Sequence, residues 1–279
     1  GITQNCSTSG TIHAQAIDPF FGGDVGFNVG GLIGSCNGDF WESLAVFRCS
    51  SSVEVQGTYS VGGLVGSQAN CTLRECFSTG SVEGYEYIGG LVGIGSGNIE
   101  RCFTTAAVGN YYAGSYLGGI TGSHSGTISD SYARSAIYMN SGSSNVGGFA
   151  GSCFGVSRCY SASTFRLLNY VSEYVATFIG YPQGSVEACF FNYQGNEWMD
   201  DISGATGLTT SQMQIADEFI NAGWDFDPEA IDGTPAIWKI DGVNYPTLVW
   251  YVPAQATYSG GKGTLEDPYQ IATVNDLLH

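Results

Sequence analysis

The chain has 279 residues, of which 43% are hydrophobic and only 12% charged, with 8 basic against 25 acidic residues and a net charge of −17. That charge repels phosphate backbones and anionic membrane surfaces, which argues against nucleic-acid binding. No apolar run approaches the ~18 residues of a membrane span, and the opening residues do not read as a leader peptide. Glycine is abundant, 42 of 279, but without the triplet period of collagen.

The chain repeats itself. VGGLIG at 29–34 is followed by VGGLVG at 61–66, IGGLVG at 88–93, LGGITG at 117–122 and VGGFAG at 146–151, with a degraded copy, VATFIG, at 175–180. A second signature follows each copy: an aliphatic residue, two others, then Cys or Ser. It reads Val46…Cys49, Leu73…Cys76, Ile99…Cys102, Ile128…Ser131, Val156…Cys159 and Val186…Cys189. The opening GITQNCSTSG resembles the back half of an earlier copy, with Cys6 in the cysteine column.

A period near 29 residues, short apolar runs and Gly/Ser punctuation predict an all-β fold, a parallel β-helix (β-solenoid) of about six coils. One repeat cannot bury its own apolar face, whereas stacked coils can. A sandwich or barrel with similar hairpins is the alternative. The glycines suit tight corners and close backbone approach.

Stacking makes columns. The residues before the Cys column, Arg48, Glu75, Arg101, Asp130 and Arg158, alternate in sign. At the ~4.8 Å spacing of in-register strands they would form a charge ladder. Coincidence on a solvated face is the other reading. The residues after the column, Phe77, Phe103, Tyr132, Tyr160 and Phe190, predict an aromatic stack, structural rather than a ligand platform. One conflict remains. The aliphatic residue and the Cys are three apart, which strict alternation places on opposite faces, so a bulge or corner must lie between them.

Taken together, the run VGGLVG…G-x-I-x-x-C-[FY]-S-T-G resembles the GLUG repeat, with Gly63-Leu64-Val65-Gly66 and Gly90-Leu91-Val92-Gly93 as its core, over roughly residues 1–193. GLUG repeats occur in secreted bacterial surface proteins, including adhesin-like proteins and the non-catalytic part of some immunoglobulin A peptidases. The resemblance implies a β-helix exposed at the cell surface and no defined activity.

Residues 194–252 break the pattern. TTSQMQIADEFINAG (209–223) predicts a helix capped by Thr210 or Ser211, with an apolar stripe of Met213, Ile215, Phe219 and Ile220, ended by Gly223. Short strands with Asp-Gly turns at 232–233 and 241–242 follow. The segment fits a small α+β cap on the apolar end of the solenoid. In GLUG proteins a comparable segment ends in a YP-x-L-x-W stretch, here Tyr245 to Trp250. Residues 253–279 fit a linker and the incomplete start of a following module, with Thr273 and Asp276 opening a helix. The chain is therefore expected to be a piece of a longer array.

Nine cysteines are many for a reduced compartment. Pairing within each repeat, Cys36–Cys49, Cys71–Cys76 and Cys153–Cys159, would fasten the corner loops. A ladder of buried thiols is the alternative. Asn5 and Asn70 head N-x-[ST] sequons. No HExxH or GxSxG occurs, and scattered histidines argue against zinc. Asp225, Asp227, Glu229 and Asp232 form the densest acid cluster, a calcium candidate that turn chemistry explains equally well. No cofactor and no enzymatic activity are expected. The expected role is an extracellular structural module of a fibre, stalk or filament, with copies or neighbouring modules joined head to tail. The alternative is an adhesin reading glycans or host protein through loop aromatics such as Tyr111, Tyr112, Tyr138 and Tyr170.

Overall fold

The computed structural model describes residues 2–14, 26–38, 44–110, 114–167, 174–197, 199, 201–226 and 235–252. Three parallel sheets run the length of a β-solenoid. The second coil shows the plan. Tyr59–Gly62 lies in sheet III, Val65–Ala69 and Cys71–Arg74 lie in sheet I, and Phe77–Gly84 lies in sheet II. The next coil returns to the same places, with Ile88 beside Val61, Val92 beside Val65, Ile99 beside Leu73 and Phe103 beside Phe77. Sheet III stacks six strands, from Phe27–Gly30 to Val175–Ala176, so five full turns separate first from last. Ile2–Gln4 and Ser7–His13 add the expected half coil, pairing in parallel with Leu44–Phe47 and Ser50–Gln56.

The interior holds two apolar clusters. One gathers Val46, Leu64, Leu73, Leu91, Ile99, Ile128, Phe149, Phe178 and the cysteine column. The other gathers Val29, Val61, Val82, Ile88, Val108, Leu117, Ile137 and Val146. Burying each fully buried aliphatic contributes roughly 1.5–3 kcal/mol. Buried hydroxyls accompany the glycine pairs: Ser78 Oγ donates to Gly90 O at 2.5 Å and Ser163 Oγ to Gly148 O at 2.7 Å.

The corners resolve the spacing conflict. Arg48, Glu75, Arg101, Asp130, Arg158 and Ala188, with Asn5 before them, all adopt positive φ. One left-handed residue between the aliphatic and the Cys turns the strand, so Val46 and Cys49 both point inward. A second left-handed column, Asn28, Ser60, Tyr87, Tyr116 and Asn145, precedes the glycine pairs, and Tyr174 precedes Ala176-Thr177 in their place. The repeated glycines are thus not the left-handed residues of these corners. They are glycine because of space. A Cβ on Gly62 would collide with Val65 O of its own turn, and one on Gly63 with Gly90 O of the next coil.

The segment after the coils closes one end and then runs along the side. Asp201 Oδ2 accepts the Phe178 N–H at 2.7 Å, replacing the carbonyl that a further coil would offer. Thr206–Leu208 adds a rung beside Phe190–Asn192. Met199 and Ala205 pack against the two cores. The expected long helix is two pieces, a 3-10 turn Gln212–Gln214 and an α-helix Ala216–Ile220, split at the extended Ile215. Its start is capped by Thr209, whose Oγ1 accepts the Gln212 N–H at 3.1 Å, not by Thr210 or Ser211. Gly223, at φ +83°, follows the helix as expected. Trp238–Lys239 and Thr247–Leu248 pair antiparallel. These elements lie against the flank of the solenoid as well as its end, where Trp224 and Trp238 pack on Tyr160. Residues 1–248 form one compact unit. Residues 249–279 form a second, in which the described Trp250 and Tyr251 meet edge to face. The linker, Thr273 and Asp276 lie outside the described residues.

Candidate functional site

The chemistry-bearing side chains lie in columns, and each column connects coil to coil. In the charge ladder, Arg48 Nε meets Glu75 Oε2 at 2.7 Å, and Arg101 and Arg74 approach Glu75 at 3.9 Å. Two coils on, Arg158 holds Asp130 with Nε at 2.7 Å and Nη2 at 2.9 Å. The acids are buried and the arginines half-exposed. The hydrogen bonds that Arg158 donates to Asp130 raise the Arg158 pKa further, so the guanidinium stays charged.

The aromatic column stacks as expected over four coils. Phe77–Phe103, Phe103–Tyr132 and Tyr132–Tyr160 lie 4.9 to 5.0 Å apart and within 6° of parallel. Phe190 stands edge to face with Phe219 instead. The C-terminal elements cover this column. Trp224 and Trp238 pack on Tyr160, and Trp224 Nε1 donates to Ala188 O at 2.8 Å. Arg134 fastens the cover. Its guanidinium lies 4.9 Å from the Tyr132 ring and 5.1 Å from the Tyr245 ring, and Nη2 donates to Tyr245 O and Pro246 O at 3.1 and 2.8 Å. Its sequence position carried no repeat signal, which is why the column analysis missed it.

The cysteine column is a thiol ladder. The Cys49 N–H points to Cys76 Sγ at 3.4 Å, Cys76 N–H to Cys102 Sγ at 3.4 Å, and Cys102 N–H to Ser131 Oγ at 3.0 Å. Each thiol in turn donates to the carbonyl two residues back, as Cys102 does to Glu100 O at 3.2 Å. Hydrogen bonding along the ladder, led by Cys76, raises the Cys49 pKa, and burial does so for Cys159. These thiols stay protonated and can donate. The within-repeat disulfides do not form. Cys36 pairs with Cys71 of the next coil, Cα atoms 6.2 Å apart, while Cys49, Cys76, Cys153 and Cys159 are free. The reason is direction: the ladder thiols point along the inner corner, toward their counterparts in adjacent coils.

Asn5 and Asn70 are exposed and both left-handed. Of the loop aromatics, Tyr138 is exposed, and Tyr111, Tyr112 and Tyr170 lie outside the described residues. Tyr174 and Tyr181 are exposed and meet edge to face, whereas Tyr87 and Tyr116 stack and cover each other's faces. In the acid cluster Asp225 accepts the Ile237 and Trp238 N–H groups through its backbone carbonyl. Asp227, Glu229 and Asp232 lie outside the described residues. Among the described residues no three His, Cys, Asp or Glu side chains gather as metal ligands would.

The family description "The GLUG motif" matches residues 57–83. The chain carries the GLUG motif. The matched stretch is one coil, from the left-handed Ser60 and the glycine pair Gly62-Gly63 through Glu75, Cys76 and Phe77. A comparison with curated proteins gave no match. Among solved structures the chain is similar to a Bacteroides ovatus protein provisionally named an immunoglobulin A1 protease. The TM-score is 0.56 at 16% identity, over 90% of this chain and 76% of that one. At that identity the likeness shows the fold alone. Within the GLUG signature the glycines allow close packing of coils, and Leu64 and Val65 enter the core.

Proposed function

We propose that this protein is a non-catalytic structural module of an extracellular fibre, stalk or filament. One observation carries the reading. The charged, aromatic and thiol columns all bond along the same axis, coil to coil, which makes a stiff rod rather than a concave site. The Cys36–Cys71 disulfide supports an oxidising compartment. No described helix is long and apolar enough to cross a membrane. Neighbouring modules are the proposed partners, joined end to end. At the C-terminal end Asp201 already satisfies Phe178, so a joint there rests on side chains rather than added strands.

Electron microscopy of the protein from its native source tests this. Filaments with an axial repeat of one module are the expected result. Isolated short rods would overturn it and favour the second reading, an adhesin. That reading draws on exposed Tyr138, Tyr174 and Tyr181, and a glycan array without hits would count against it.

A further inference from the structure

One interior column differs from the rest. Gln68, Gly95, His124 and Cys153 occupy the same register position in four successive coils, facing inward on sheet I. Gln68 and His124 are both buried. Their hydrogen bonds settle which of their atoms carry protons. Gln68 Nε2 donates to Cys71 O at 2.5 Å and to Asn98 O at 3.1 Å, which uses both amide hydrogens and leaves Oε1 as a bare acceptor. His124 Nε2 lies 2.9 Å from Gly97 O. A carbonyl only accepts, so Nε2 carries the proton and Nδ1 is a bare lone pair.

Both remaining atoms, Gln68 Oε1 and His124 Nδ1, are buried without a partner. Both border the same glycine: a Cβ on Gly95 would contact Oε1 at 2.8 Å and would collide with Nδ1. The column thus brings two acceptors from coils on either side onto one coil that has no side chain between them. Two acceptors cannot satisfy each other. Either a proton or a donor must lie between them.

We propose that Gln68 Oε1 and His124 Nδ1 share one buried water molecule, which donates one hydrogen to each. The geometry selects water over the alternatives. A proton on Nδ1 would place an uncompensated cation in the core, and burial lowers the His124 pKa to about 4. A metal cation would need more oxygen or sulfur ligands, and no cluster of metal-binding side chains is formed here among the described residues. A neutral donor of two hydrogens matches two neutral acceptors and a polar wall. Gly95 stands where its neighbours in the column carry side chains because His124 and Gln68 already close over it, and an Ala there would collide with both.

A crystal structure of the intact chain at neutral pH, at a resolution that shows ordered solvent, tests the site. The expected result is one density peak within hydrogen-bond reach of both atoms and no other. A water touching only one of them, or no peak, would overturn the proposal. An independent reading comes from nitrogen-15 NMR of the His124 ring with water-exchange cross-peaks. An Nε2–H tautomer with a slowly exchanging bound water is expected. An Nδ1–H tautomer would overturn it, because Nδ1 would then be a donor.

Discussion

Arg158 holds Asp130 with two guanidinium nitrogens, at 2.7 and 2.9 Å, and both residues sit in the left-handed corner position of adjacent coils. The corner backbone, which a non-glycine residue adopts at a cost, thereby also sets the reach of the ladder.

Asp130→Asn separates the two contributions. Asn tolerates left-handed φ, so only the charged bonds are lost, and the expected destabilisation is about 1 kcal/mol after allowing for the half-exposed arginine. Asp130→Ala loses the corner preference as well and is expected to cost roughly another 1 kcal/mol. Urea midpoints of the three proteins check this. Equal losses for Asn and Ala would mean that the corner backbone is indifferent to residue type.

Glycine in the repeat core acts by absence of volume. Gly90→Ala would drive its Cβ into Gly119 O, and we expect a loss of at least ~3 kcal/mol or failure to fold. Gly155→Ala meets Thr127 Cγ2 at 3.6 Å and Gly126 O at 3.8 Å, both ordinary contacts, and should be near neutral. Circular dichroism melts of both variants distinguish packing from a general need for glycine.

The thiol column predicts a substitution rule. Ser131 already stands in it, so Cys102→Ser should keep the fold within about 1 kcal/mol, since a hydroxyl replaces the thiol as acceptor and donor. Cys102→Val leaves the buried Cys76 N–H without its partner and is expected to cost roughly 1–3 kcal/mol. Non-reducing peptide mapping should recover Cys36 linked to Cys71, with the buried column cysteines Cys49, Cys76, Cys102, Cys159 and Cys189 alkylated only after unfolding. A Cys36–Cys49 peptide would refute the pairing.

His124 makes stability pH-dependent in one direction. Burial depresses its pKa from 6.5 to about 4, so between those values the unfolded chain binds the extra proton. Stability is full above about pH 6.5 and falls as pH drops toward 4. The loss is on the order of 3 kcal/mol by linkage. Urea midpoints at pH 7, 5.5 and 4 follow it, against His124→Gln as the control without that slope. Identical slopes for both proteins would remove His124 as the cause.

The amino-acid sequence by itself determined what repeats: the period, the apolar rungs, the charge and aromatic columns and Cys6 as a column member. In-register stacking turns a periodic residue into a neighbour of its own copies, so these contacts are legible from spacing alone. Tertiary structure decided what does not repeat, and how each coil turns. Cys36 and Cys71 are 35 residues apart and belong to different repeat positions, so only the coil cross-section could join them. The left-handed corners are filled by Arg, Glu, Asp, Tyr, Asn, Ser and Ala rather than glycine, and no local pattern marks such residues as turns. Arg134 and Asp201 follow the same principle. Each acts through a partner set by folding over long separations, where sequence periodicity has no say.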